Sequence, residues 1–69
     1  MQYATKYWIR QFEGKIRVIY VMCTHCASWT LIKTIKHDQA HQCPCCKKVF
    51  IETPDPKKRD VYVDDLKGV

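Results

Sequence analysis

Cysteines are the residues of this chain best equipped for chemistry, and four of the five fall into two matched pairs. Cys23-Thr-His-Cys26 and Cys43-Pro-Cys-Cys46 each place two residues between their outer thiols, and sixteen residues separate the pairs. With two intervening residues, a tight turn aims both sulfurs at one ion while its backbone N–H groups point at the sulfurs. Two such knuckles facing each other supply a tetrahedral set of thiolates with Zn–S near about 2.3 Å. The separation between the pairs falls in the range that marks a zinc site. The reading is therefore one structural Zn²⁺ held by Cys23, Cys26, Cys43 and Cys46. Pro44, directly after a ligand, pre-forms its turn through a fixed φ. Cys45 occupies the middle of the same turn, faces outward, and is expected to be a free thiol.

The other sulfur chemistries fit less well. A secreted disulfide scaffold normally carries an even cysteine set, whereas this chain has five. The stretch Met1–Arg10 has charges at Lys6 and Arg10 and no apolar core of secretory length. The longest apolar run, Val18 to Cys23, is far short of the roughly 20 residues of a membrane span. These features lead us to expect an intracellular, cytoplasmic protein in a reducing compartment, where thiols are metal ligands rather than disulfides. Iron in a rubredoxin-like site is compatible with the ligands alone. Catalytic zinc keeps an open position for water, which a complete cysteine set does not leave. No Glu stands near a ligand histidine before Cys43 as a deaminase would need, and no βαβ context surrounds either pair as a redox CxxC would need. We expect no enzyme activity and no small-molecule substrate. His25, inside the first knuckle, is expected to be exposed; His37 and His41 are alternative ligands only for a Cys₃His site.

A chain of 69 residues makes one domain at most, 1–69. It buries only about 60% of the surface its unfolded form exposes, so its core alone is marginal and a metal staple fits. β-branched and aromatic residues cluster in short runs between turn signals, which is the strand signature. The first two runs, Tyr3 to Phe12 and Lys15 to Met22, read as a hairpin (1–22) closed by Glu13-Gly14, with Glu a weaker first turn residue than Asn or Asp. The second run alternates at Lys15-Ile16-Arg17-Val18 and is then apolar on both faces, as in a strand that enters at an edge and finishes in the middle of a sheet. Ser28 to Lys36 fits a strand or a short helix, and its β-branched residues favour strand. His37 to Gln42 reads as a polar turn. Lys48 to Glu52 is a fourth strand, completing a ribbon over 23–52, and ends at Thr53-Pro-Asp-Pro56, which cannot continue a ladder. Segment 53–69 then supplies that turn, an edge strand at Asp60–Val63 and a frayed end. The fold class is all-β and metal-stapled: a zinc ribbon with an additional N-terminal β-hairpin.

Across Val21 to Phe50 the sequence resembles the zinc-ribbon superfamily, whose hallmark is CxxC followed by CPxC on two facing knuckles. It departs from the commonest version at Ala27 and Lys47, where Gly usually follows the second cysteine of each knuckle, and so implies strain or a looser turn there. With basic residues Lys47 and Lys48 after the last ligand, it also looks like the Com-type phage translational regulators, a resemblance that would imply binding of single-stranded RNA.

The formal charge of +5 becomes +3 once four thiolates and one Zn²⁺ are included, and residues 1–59 hold 11 of the basic and only 4 of the acidic side chains. Such a basic body is compatible with nucleic acid, though charge of this size also serves solubility. Lys6, Trp8 and Arg10 share one strand face in the first hairpin, with Lys15, Arg17 and Trp29 nearby. If a core this small leaves one aromatic row exposed, stacking on bases beside phosphate contacts follows; the alternative is that both tryptophans serve the core. Lys57, Lys58 and Arg59 form a second patch, either phosphate anchors or a solvated loop. Two functions result: binding of RNA or single-stranded DNA in gene regulation, or a protein-interaction module that docks on a larger complex such as transcription machinery, including a homodimer through the first hairpin.

Overall fold

The structure is a computed structural model and describes residues 3–66. Six strands form in the order β1 (Lys6–Phe12), β2 (Lys15–Met22), β3 (Trp29–Ile32), β4 (Ala40–Gln42), β5 (Val49–Ile51) and β6 (Asp60–Leu66). No α-helix lies among the described residues; a single 3₁₀ turn, Pro56–Lys58, precedes β6. None of the elements is a helix long and apolar enough to cross a membrane.

Strands β1 and β2 pair antiparallel, with Trp8 opposite Tyr20 and Phe12 opposite Lys15. The turn between them places both Glu13 (φ 53°) and Gly14 (φ 75°) in the left-handed region, as a two-residue hairpin turn of matching twist requires. A bulge between Arg10 and Gln11 shifts the register, leaving Arg17 without an opposite residue on β1. Strand β3 pairs antiparallel with Ile19–Met22 of β2, and β6 pairs parallel with the whole of β1. The result is a four-stranded sheet of order β3-β2-β1-β6, accompanied by a two-stranded sheet of β4 and β5.

Residues directly opposite each other share a sheet face, so the register sorts the side chains into two rows. Tyr7, Val21 and Thr30 lie in one row, are all buried, and meet Phe50 of the small sheet with Ala4, Ile32, Cys23 and Cys43. The next row, on the opposite face, runs Leu31–Tyr20–Trp8–Tyr62 across all four strands. Leu31 and Tyr62 are exposed there, and Trp8 and Tyr20 are half-buried.

The chain departs from the sequence expectations in four places. The polar segment His37–Gln42 was expected as a turn, but Ala40–Gln42 forms β4 and pairs with β5. A three-residue strand on the edge of a small sheet needs no apolar alternation, so its pattern carries no strand signal. The Ser28–Lys36 run stops at Ile32, and Asp38 takes a positive φ of 55° as the chain turns toward β4. The first strand begins at Lys6 rather than Tyr3, because Ala4 instead bridges to Glu52 in parallel. The last strand runs on to Leu66; the expected frayed end, 67–69, lies outside the described residues.

One charged side chain is fully buried between the layers. Glu52 accepts from Lys36 N–H at 3.4 Å and pairs with His41 Nε2 at 2.8 Å. The Tyr7 phenol is pushed far above its ordinary range, first by burial and then by the neighbouring Glu52 carboxylate, with Arg59 acting in the opposite sense. Removing one partner of such a buried pair orphans the others, so Glu52→Ala is expected to cost about 3 kcal/mol of unfolding free energy. Urea denaturation of the metal-loaded chain measures it, with no loss of metal stoichiometry expected in the folded fraction.

Candidate metal centre

The two knuckles are the turns of two hairpins. Cys23–Ser28 connects β2 to β3, where Met22 lies opposite Trp29, and Cys43–Lys48 connects β4 to β5, where Gln42 lies opposite Val49. The same two backbone bonds close each turn. In the first, Ala27 N–H donates to Cys23 O at 3.1 Å and Cys23 N–H to Ser28 O at 2.9 Å; in the second, Lys47 N–H donates to Cys43 O and Cys43 N–H to Lys48 O, both at 2.9 Å. His25 N–H additionally points at Cys23 Sγ at 3.3 Å. Ala27 and Lys47 close these turns at φ 61° and 65°. The two positions where the sequence lacks the usual glycine are therefore the two that need a left-handed backbone, and each carries strain that glycine would not.

The sulfurs of Cys23, Cys26, Cys43 and Cys46 all lie within 4.8 Å of one another. Cys23 Sγ is 3.7 Å from Cys46 Sγ, and Cys26 Sγ is 3.4 Å from Cys43 Sγ. A tetrahedron with metal–sulfur distances of about 2.3 Å has edges of about 3.8 Å, so the four thiols fit one ion such as zinc. Cys45 is exposed, is not part of the cluster, and is a free thiol as expected. The histidines are engaged elsewhere: exposed His25 through Nε2 to Val49 O, His37 through Nδ1 to Pro54 O, and His41 with Glu52.

The thiols are not electrostatically equal. The Ser28 hydroxyl, 3.3 Å from Cys26 Sγ, stabilises the thiolate and brings Cys26 down to about 6, helped by the Ser28 N–H. The Cys46 N–H, aided by that of Cys45, lowers Cys43 despite its burial. At Cys46 the Lys48 N–H favours the thiolate, but burial and the neighbouring cysteines outweigh it and push the group up to about 12. Four thiolates this close cannot all ionise unaided; a dication relieves the repulsion and expels the remaining protons.

Lys6, Trp8, Arg10 and Trp29 come together on the face away from the small sheet. The Trp8 and Tyr20 rings stack at 5.2 Å, the Trp8 and Trp29 centroids are 5.7 Å apart, and the Arg10 guanidinium lies 5.2 Å from the Trp8 centroid. Lys15 sits opposite Phe12 at the hairpin tip, and Arg17 lies over the Phe12 ring at 5.7 Å. Tyr20, Leu31 and Tyr62 complete the face and were not singled out from the sequence as site residues; only the pairing register brings them beside Trp8. Lys47 and Lys48 are exposed on the second knuckle, and Lys57 and Lys58 are exposed in the 3₁₀ turn. Arg59 is half-buried against Lys36 O and His37 on the core side. None of these last five belongs to the aromatic face. Asp60 and Asp64 of β6 stand in register with Lys6 and Arg10, and the Arg10–Asp64 ion pair measures 3.6 Å.

No protein-family model, curated protein or solved structure matches the chain.

Native mass spectrometry is expected to find one metal ion per chain, lost on acidification because binding must displace thiol protons. Cys43→Ser should abolish stoichiometric loading, while Cys45→Ser should leave it intact. Ala27→Gly and Lys47→Gly should each raise stability by about 0.5–1 kcal/mol by relieving left-handed strain, seen as a higher thermal midpoint of the loaded protein.

Proposed function

We propose that the chain is a non-catalytic nucleic-acid-binding module, stapled by one structural Zn²⁺ at Cys23, Cys26, Cys43 and Cys46, which takes single-stranded RNA or DNA on its open aromatic face. The tetrathiolate chemistry supports zinc, since four soft ligands at tetrahedral spacing leave no open position for a substrate. The observation that carries the ligand assignment is the contiguous cluster of Trp29, Trp8 and Tyr20 flanked by Lys6 and Arg10. These rings are half-buried on the sheet face that the small sheet does not cover; aromatics on such a surface accept bases because every base has a π-face, and adjacent cations meet the phosphates. The carboxylates of Asp60 and Asp64 repel a polyanion at the β6 side, so the strand runs over β1, β2 and β3. A gene-regulatory role inside the cell is the setting this chemistry suits.

The rival reading, docking on a protein complex or a homodimer, draws on the unpaired outer edge of β6, where Val61, Tyr62 and Val63 are exposed. Such edges invite strand addition.

A fluorescein-labelled ten-nucleotide oligo-U or oligo-dT is expected to bind at low salt and to quench the intrinsic fluorescence of both tryptophans. Engagement of Lys6 and Arg10 with two phosphates gives a log–log salt slope of about −1.4. Trp8→Ala should cost about 1–3 kcal/mol of binding, and the double change Lys57→Ala with Lys58→Ala should leave affinity within a factor of about two. Absence of binding at low salt refutes the assignment, and sedimentation of the free chain as a dimer would favour the rival.

A further inference from the structure

Strand β2 is paired on both sides over only half its length. Strand β1 accompanies it from Lys15 onward, but β3 lies beside Ile19–Met22 alone and ends at Ile32, opposite Ile19. The outward N–H and C=O groups of Lys15–Val18 therefore have no strand partner, and no other backbone group among the described residues bonds to them. An unpaired ladder segment in the middle of a sheet is a template for an added strand.

The space beside this segment is a groove of about 610 Å³, lined by Ile16, Ile19 and Ile32 among its apolar walls and by Arg17, Lys33 and Gln39 among its polar ones. Ile16 is 56% exposed there, although its position in the sheet is that of a core-facing residue. Gln39 Oε1 is buried and has no hydrogen-bond partner. Arg17 and Lys33 line the groove, and neither has a carboxylate partner among the described residues. Each of these features asks for the same occupant: backbone amides in strand geometry, apolar side chains toward Ile16 and Ile32, and anionic side chains toward the cations.

We propose that this half-open edge is a docking site for an extended peptide strand of alternating apolar and acidic residues contributed by another protein. A nucleic acid does not fit the requirement, because it offers no in-register N–H and C=O groups to the free ladder. The cations select acidic side chains over basic ones, and the ladder selects an extended backbone over a helix. The groove contains neither tryptophan of the aromatic face and meets that face only at Leu31, so its failure leaves the nucleic-acid reading untouched.

The test uses the zinc-loaded, ¹⁵N-labelled full chain and a capped hexapeptide that alternates valine and aspartate. Saturable amide shifts are expected at Ile16–Ile19 and Leu31–Lys33, with binding complete below about 1 mM peptide. A peptide with lysine in place of aspartate should not bind. The valine–aspartate peptide N-methylated at alternate amides should lose the interaction without any change to the protein. The charge-reversed variant Arg17→Glu, Lys33→Glu, checked for retained zinc, should bind at least about fivefold more weakly. No shift at that concentration, shifts confined to β6, or equal binding of the lysine or N-methylated peptide would overturn the proposal. Concentration-dependent shifts of the same amides in the free chain would assign the edge to a second copy and equally overturn it.

Discussion

Four sulfur atoms meet where the tips of two hairpins from different sheets face each other. Strand β2 reaches the first knuckle at Cys23 and β4 reaches the second at Cys43, both at positions with almost no solvent exposure. Each knuckle closes with the same pair of backbone hydrogen bonds, so the two present their thiols in the same way and meet face to face. Once the tips are joined, Phe50 of β5 comes to lie against Tyr7, Val21 and Ile32 of the larger sheet. The small sheet thus docks through its turn first and through its side chains second. A two-stranded ribbon of three residues per strand has no independent stability; an ion held by the four clustered thiols would supply it.

This dependence has a consequence for the rest of the surface. The molecule measures 41 × 27 × 16 Å, and the short dimension leaves room for no third layer. The small sheet covers only the knuckle end of one face of the large sheet, so the other face retains its aromatic row in contact with solvent. In a larger domain Trp8, Tyr20 and Trp29 would be core. Here they pack on one another and on Arg10, each half-buried, because the only apolar surface available to them is their own. A folded chain that leaves such a patch open does so at a cost in solubility, which soluble domains rarely carry without a partner for it.

The four-cysteine cluster, the first hairpin and the all-β class were legible in the sequence because each rests on local pattern: cysteine spacing, β-branched runs and Glu13-Gly14. The edge-to-centre character of β2, read from its change from alternating to continuous apolarity at Ile19, matches the point where β3 joins it. The glycine-replacing residues Ala27 and Lys47 pointed to strain or a looser turn, and both adopt positive φ. What was illegible depends on pairing across long separations. Strand β4 has no apolar signal and exists because β5 and the knuckle require a partner. Tyr62 joins the aromatic row only through the parallel pairing of β6 with β1, some fifty residues apart in sequence. Glu52 gave no hint of burial, since its environment is assembled from Lys36, His41 and Tyr7 on three different segments.

The same register that hides these contacts divides the charge of the molecule. Lys6 and Arg10 lie on the aromatic face, yet each stands beside a β6 carboxylate, and Arg10 already bridges to Asp64 while stacked on Trp8. An exposed pair of this kind contributes little to stability, about 0–1 kcal/mol, so its main effect is on where the field is positive. Strand β6 neutralises one flank of the face and leaves the β2–β3 flank, with Lys15, Arg17 and Lys33, uncompensated. The basic excess of the chain is therefore not spread evenly over its surface. On the large sheet the uncompensated cations lie along the half where β3 stops short, and any anionic partner approaching that sheet meets that side first.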